Sequence, residues 1–303
     1  MKIIVTGGTG FIGTALLPRL CAENHAVVAL TRDPTRAGGL LPPGVTAVAW
    51  SGITGGDWRS HLEGADAVIN LAGEALAAKR WTPEQKERII NSRVDALHAI
   101  GDALVSAPKM PSVVISSSAV GYYGPVEEGE VTEEREPGTD FLARTCVRWE
   151  AAANAIGELG PRIVVLRSGV VLGDGGGALE RMLLPFRLFA GGPIGSGRQW
   201  FPWVHRDDLV NIILFALRNP EVSGPLNAVA PESVSMKTFS SALGKAIRRP
   251  SWAPVPAPIL RLALGEMADM LLTGQRVVPG KLQKLGFTFT FPTLPLALTD
   301  IVR

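Results

Sequence analysis

Residues 2–13 read KIIVTGGTGFIG. A short apolar run meets a cluster of glycines, and a helical apolar pattern begins directly beyond it. Gly8, Gly10 and Gly13 fit G-x-G-x-x-G, while Gly7, Gly10 and Gly13 fit the related T-G-x-x-G-x-x-G. In a strand–turn–helix setting such glycines make the tight turn and let the backbone approach a pyrophosphate. The anion then sits at the positive end of the following helix. The stretch predicts a phosphate cradle between the first strand and the helix that follows it.

The chain around it agrees. KIIVT (2–6), VVAL (27–30), VTAVAW (45–50), AVINLA (67–72), SVVIS (112–116) and IVVLR (163–167) read as strands. Helical periodicity fills 11–22, a short piece near 57–62, 83–106 and 140–157. Thr82-Pro83-Glu84 is a helix start, a capping residue followed by proline at the first helical position. Continuous apolar strands alternating with helices predict an α/β fold of the Rossmann type, a doubly wound parallel sheet covered on both faces. After residue 168 the texture changes: GDGGG (173–177) and GGPIGSG (191–197) flank a short helix. Strand-like 202–204, a helix at 207–218 and a strand near 226–229 follow. The expected division is a dinucleotide-binding domain over 1–168, rejoined by 205–228, and a smaller substrate lobe from 169–204 and 229–303.

Composition narrows the partners. The 303 residues carry a formal net charge of +2, and IRR (247–249) is only two charges long, so nucleic acid is not an expected ligand. No stretch approaches the ~18 uninterrupted apolar residues of a membrane span, and no membrane partner is expected. Two cysteines, Cys21 and Cys146, supply neither a disulfide framework nor metal-ligand spacing. A cytoplasmic protein without a metal is the expectation.

The end of the second strand bears on the nucleotide. An NAD site places an acidic residue there, on the ribose 2′-hydroxyl. This chain reads ALTRD, with Thr31 and Arg32 where that acid belongs. Arg32 can hold a 2′-phosphate through charge-assisted hydrogen bonds. Asp33 is the counter-argument, although an Asp-Pro pair usually opens a turn. NADP(H) is favoured over NAD(H).

With TGGTGFIG, NLAGE (70–74), ISSSAVGYYG (115–124) and WVHRDDL (203–209), the chain resembles extended short-chain dehydrogenases/reductases of the sugar-nucleotide epimerase kind. The match is closer to an atypical branch, the epimerase family proteins with a conserved C-terminal domain. The branch features are KRWTPEQK (79–86), NSRV (91–94), CVRWE (146–150) and LLTGQRVVPGKLQKLGF (271–287). The resemblance implies Gly7, Gly8, Thr9, Gly10, Phe11, Ile12 and Gly13 around the pyrophosphate, Arg32 by the adenosine ribose and Asp57 by the adenine. It also implies Leu71, Ala72, Gly73 and Glu74 along the cofactor, Ser92 approaching from the long helix, and Ser116 at the end of the fifth strand. Ser118 takes the position of the serine or threonine that hydrogen-bonds the reacting oxygen.

The same resemblance exposes a gap. These enzymes carry Tyr-x-x-x-Lys on the next helix, one turn apart so that both side chains reach the same point in the cleft. Residues 140–150 read DFLARTCVRWE, and Cys146 and Glu150 stand in the two places. No tyrosine follows Tyr123. A carboxylate there would raise the neighbouring thiol's pKa and disfavour a thiolate nucleophile. Cys146 therefore reads either as a small packed thiol or, with Glu150, as a group near the nicotinamide.

Other chemistry-bearing residues stay open. Tyr122 and Tyr123 either shape the loop beside the substrate or replace the missing proton donor. Glu74 is an acid/base or a solvated loop residue. Trp81 is a planar substrate contact or a staple for the following helix, and Lys79 and Arg80 could hold an anion. Gln199, Trp200 and Trp203 fall, by resemblance, on the substrate cleft. His205 reads as architectural, and Arg167 and Gln275 as wall residues. The reading is an NADP-dependent oxidoreductase or epimerase-like enzyme on a small polar, sugar- or nucleotide-like substrate. Its alternatives are a non-catalytic NADP(H)-binding sensor or interaction protein, and non-redox chemistry on a carbonyl compound. Homodimerisation through helices 84–106 and 140–157 is the expectation that the resemblance adds.

Overall fold

The computed structural model describes residues 1–302. Seven strands form one sheet: β1 (Lys2–Thr6), β2 (Ala26–Thr31), β3 (Thr46–Ala49), β4 (Ala67–Asn70), β5 (Val113–Ala119), β6 (Arg162–Ser168) and β7 (Gly224–Ala228). Their order is β7-β6-β5-β4-β1-β2-β3, and every neighbouring pair is parallel. The strand order reverses between β1 and β4, which opens a crevice at their carboxyl ends.

Six longer helices accompany the sheet: α1 (Gly13–Ala22), α2 (Pro83–Val105), α3 (Phe141–Gly157), α4 (Gly177–Arg187), α5 (Arg206–Arg218) and α6 (Met236–Ala246). Successive strand residues point to opposite faces, and both faces are dry. Ile3, Val5, Ile69 and Ile115 pack on Leu16, Leu17 and Leu20 of α1 and on Ile212 and Ile213 of α5. Ile4, Val68 and Val114 pack on Leu97, Ile100 and Leu104 of α2 and on Ala153 and Ile156 of α3. That double burial explains why the strands carry unbroken apolar runs.

Side chains at the helix starts fix the register. Thr82 accepts from the Gln85 amide at 3.2 Å, with Pro83 at the first helical position. Asp140 accepts from the Ala143 amide at 2.7 Å and sets the start of α3.

A further apolar cluster lies beside the sheet, where Leu183 of α4, Phe201, Trp203, Phe239 of α6, and Leu294 and Leu298 of a C-terminal helix meet. The tail is fastened to the sheet side by one buried carboxylate. Asp208 on α5 accepts from the backbone amides of Thr290 and Phe291 at 2.8 and 2.9 Å. FTFTFP (287–292) therefore runs along α5 as irregular chain and forms no strand.

Candidate functional site

The cradle is built as its glycines require. Gly7 has φ +68°, and a Cβ there would stand 2.7 Å from the backbone carbonyl of Leu71. A Cβ on Gly13 would stand 2.5 Å from the carbonyl oxygens of Gly7 and Gly8, so any side chain would force the turn open. Helix α1 then begins with no side-chain cap and no acidic residue in its first turn. Its positive end suits a phosphate.

A cavity of about 340 Å³ extends from this turn. Gly7, Thr9 and Gly10 form its floor, and Leu71, Ala72, Gly73 and Glu74 continue it from the end of β4. Ser92 on α2 closes one side and accepts a hydrogen bond from the Glu74 amide at 2.9 Å. Arg32 and Thr31 stand at the end beyond β2. Asp33 is turned away from it, because its carboxylate caps the short helix Pro34–Ala37 and accepts from the Arg36 amide at 3.0 Å. Gly8, Ile12 and Gly13 form the turn without facing the cavity. Asp57 does not reach it: it is exposed and opens the 3-10 turn Asp57–Leu62, and Trp50, Ser51, Gly52 and Ile53 line the wall instead. Ser116 is also off the cavity, buried, with its hydroxyl on the Ser117 carbonyl.

A second cavity, about 430 Å³, lies at the carboxyl ends of β5 and β6. Phe11 joins it to the glycine turn, and glycines 173, 176 and 177 wrap the Phe11 ring. Its wall is largely apolar: Val120, Leu142, Trp149, Met182, Phe201 and Met236 contribute. The face of α3 turned toward it carries Leu142, Thr145, Cys146 and Trp149.

Glu150 is not on that face, which corrects its expected place in the cleft. It points inward to Arg167 on β6, which grips it with two hydrogen bonds of 2.9 and 2.8 Å. Ser118 donates to the same carboxylate at 2.7 Å. The Ser118 hydroxyl, 3% exposed, is thereby committed to Glu150 rather than presented to a substrate. Arg167 also donates to the Tyr123 hydroxyl at 3.0 Å, and Tyr123 donates to Asn227 at 2.6 Å. Burial pushes the Tyr123 phenol up to about 12. Tyr122 lies edge-on to Tyr123, with the Arg167 guanidinium 3.5 Å from its ring centre. Both tyrosines belong to this buried network, not to the cavity wall. Cys146 does line the cavity, but burial first and the Glu150 charge second push its thiol up to about 12. A thiol so protonated is a poor nucleophile.

Comparison with known proteins fits this geometry. The model of the NAD dependent epimerase/dehydratase family matches residues 3–229. The chain belongs to that family. Residues 255–301 match a second model, Domain of unknown function (DUF1731). The mouse epimerase family protein SDR39U1 is 43% identical over 306 residues, covering all of both chains. The Arabidopsis thaliana chloroplastic homolog of SDR39U1 is 42% identical over 309 residues, covering all of this chain and 87% of that protein. A solved structure of human SDR39U1 (isoform2) with NADPH superposes with TM-score 0.89 at 38% identity, covering 100% of this chain and 99% of that one. Within the epimerase/dehydratase family the chain is an atypical extended short-chain dehydrogenase/reductase with a Rossmann sheet, and Cys146 stands on its cavity wall where the tyrosine–lysine pair is absent.

Three residues expected at the substrate of this family member do other work. Trp203 is buried in the cluster beside the sheet, its indole N–H on the Glu232 carbonyl at 3.1 Å. Gln199 spends its amide on the carbonyls of Ile194 and Leu271 and ties two loops together. Trp81 stacks edge-on against Phe141 and donates to the Leu76 carbonyl at 2.9 Å, which holds the loop before α2. Trp200 does line the second cavity. Arg93 was not singled out by its motif, yet it lines the cavity and is 9% exposed. The available signal was a cation at a position of α2 where the helical period buries Ile89, Ala96, Leu97 and Ile100.

His205 is architectural. Its Nδ1 accepts from the Asp207 amide at 3.1 Å, capping α5, and its ring stacks on Phe291 at 3.9 Å. Burial lowers its pKa, while Asp207 and Asp300 pull upward without overcoming that effect. The neutral ring thus stabilises the fold above the ordinary histidine pKa of about 6.5. That stability is lost as the pH falls below it, because the unfolded chain binds the proton first. The thermal midpoint should fall between about pH 7 and pH 5 with a shallower slope in His205→Asn. Identical slopes would contradict the burial assignment.

Proposed function

We propose that this chain binds NADPH across the two cavities and reduces a carbonyl on a small, mainly apolar substrate, without the tyrosine–lysine pair. The observation that carries the cofactor choice is the division of labour at the end of β2: Arg32 borders the cavity while Asp33 is spent as a helix cap. The human relative solved with NADPH supports it. A small polar substrate was the expectation from the sequence, but the apolar lining of the second cavity favours an apolar body.

When bound, NADPH supplies a hydride. Gly7, Gly10 and the start of α1 hold its pyrophosphate, and Leu71 to Gly73 flank the path to the second cavity. The substrate carbonyl then takes hydride at carbon and a proton at oxygen. Tyr123 is turned to Asn227, so the proton would come from water or from the protonated Cys146 thiol on the cavity wall. No helix among the described residues is long and apolar enough to cross a membrane. Both cysteines are free, and we place the protein in a reducing compartment, the cytoplasm, although the plant relative is named chloroplastic.

Loss of NADPH absorbance in the presence of apolar aldehydes and ketones tests the reading. Substrate-dependent oxidation is expected. Tight NADPH binding with no turnover across the panel would contradict it. The second reading, a non-catalytic NADPH-binding protein, would then stand on the commitment of Ser118 to the Glu150–Arg167 pair.

A further inference from the structure

We propose that Arg93 is the receptor for a carboxylate carried by the otherwise apolar substrate of the second cavity; this rests on the carbonyl-reductase reading of the site. Arg93 stands where the two cavities meet. A Cβ on Gly73, which flanks the first cavity, would be 3.1 Å from the guanidinium carbon, and the same guanidinium lines the second beside Cys146. It lies over the Trp149 ring at 5.0 Å.

The hydrogen bonds of this side chain do not close within the protein. One terminal nitrogen donates to the Ile89 carbonyl at 2.8 Å, one helical turn back, and reaches Ser92 Oγ only at 3.5 Å. Among the described residues no carboxylate comes within ion-pair distance of it. Arg167, buried to a similar degree, shows the alternative: two hydrogen bonds to Glu150. A buried cation without such a partner is costly, and a guanidinium fork matches a carboxylate in two parallel hydrogen bonds.

Most of the remaining polar side chains of the wall are paired with backbone, while the Trp149 indole N–H is a neutral donor without a partner. Thr145 and Ser168 donate to the carbonyls of Phe141 and Ser118, and Gln275 donates to Val120. Thr273 donates to the Asp269 carbonyl, and the Asp140 carboxylate is held by its helix. Arg93 is left as the charged donor of an apolar chamber whose other lining includes Met182, Met236, Met270 and Trp200. Sugar hydroxyls would find few partners there, whereas an apolar acid matches both the wall and the cation.

The test is calorimetric titration of sodium octanoate and 3-phenylpropionate, each against its neutral amide. Wild type, Arg93→Gln and Arg93→Lys are compared, cofactor-free and with NADPH, after thermal melts establish that each variant folds. The acids should bind at least about tenfold tighter than their amides in wild type. The preference should vanish in Arg93→Gln and survive in part in Arg93→Lys. Equal binding of acid and amide, absence of acid binding, or a preference that persists in Arg93→Gln would overturn the proposal. So would an Arg93→Gln variant that loses only NADPH affinity, which would assign the guanidinium to the cofactor. Failure of wild type to bind NADPH would instead overturn the functional reading, and the cofactor-free titrations would still judge Arg93.

Discussion

Arg167→Met is expected to destabilise the fold by about 3–5 kcal/mol, measured as a shift in the urea unfolding midpoint. The cost arises because Glu150 would remain as a buried carboxylate with only Ser118 donating to it. In the wild-type protein two guanidinium nitrogens compensate that charge, and the pair is largely sealed from solvent, at 5% and 9% side-chain exposure. Replacing both members by apolar residues, Glu150→Met with Arg167→Met, should recover most of the loss, since the desolvation penalty of the pair disappears along with its attraction. The contrast between single and double variants is the informative part. A single-variant loss below about 1 kcal/mol, the range of solvent-exposed pairs, would show that Glu150 reaches water, and would return it to the cleft.

That pair also marks the limit of what local sequence can reveal. The sheet, its helices and the glycine turn were legible because each depends on local periodicity: strands β1 and β4 are buried on both faces and carry the apolar runs IIV and AVI. The face of α3 was harder. Residues 142, 145, 146 and 149 and residues 146, 149 and 150 are overlapping arcs of one helix, and spacing alone does not choose between them. The choice is made by Arg167, which lies beyond the helix on β6 and meets Glu150 only once the helix packs on the sheet. The same lack of local signal explains Trp203 and Gln199. Their places were inferred from a motif, while their actual partners include the carbonyls of Glu232 and Leu271, which come from segments farther along the chain. Asp57 differs again: the chain after β3 lays Trp50 to Ile53 along the cavity and carries Asp57 past it. Arg93 lay inside a motif that drew attention to its neighbour Ser92, and its importance follows from burial, which a motif does not report.

The proposed NADPH site rests on the glycine cradle and on Arg32, and the proposed function depends on it. Arg32 borders the cavity, and the neighbouring Asp33 accepts from the Arg36 amide instead of facing a ribose. A hydrogen-bonded contact to a charged group is worth about 1.5–3 kcal/mol, so losing the guanidinium should weaken a 2′-phosphate ligand by roughly ten- to a hundredfold. An unphosphorylated ribose should scarcely respond. The decisive measurement is the titration of NADPH and NADH into wild type and Arg32→Ala. Wild type should prefer NADPH, and the variant should lose that preference through weaker NADPH binding with NADH affinity unchanged. Equal affinity for the two nucleotides in wild type, or binding of neither, would contradict the assignment.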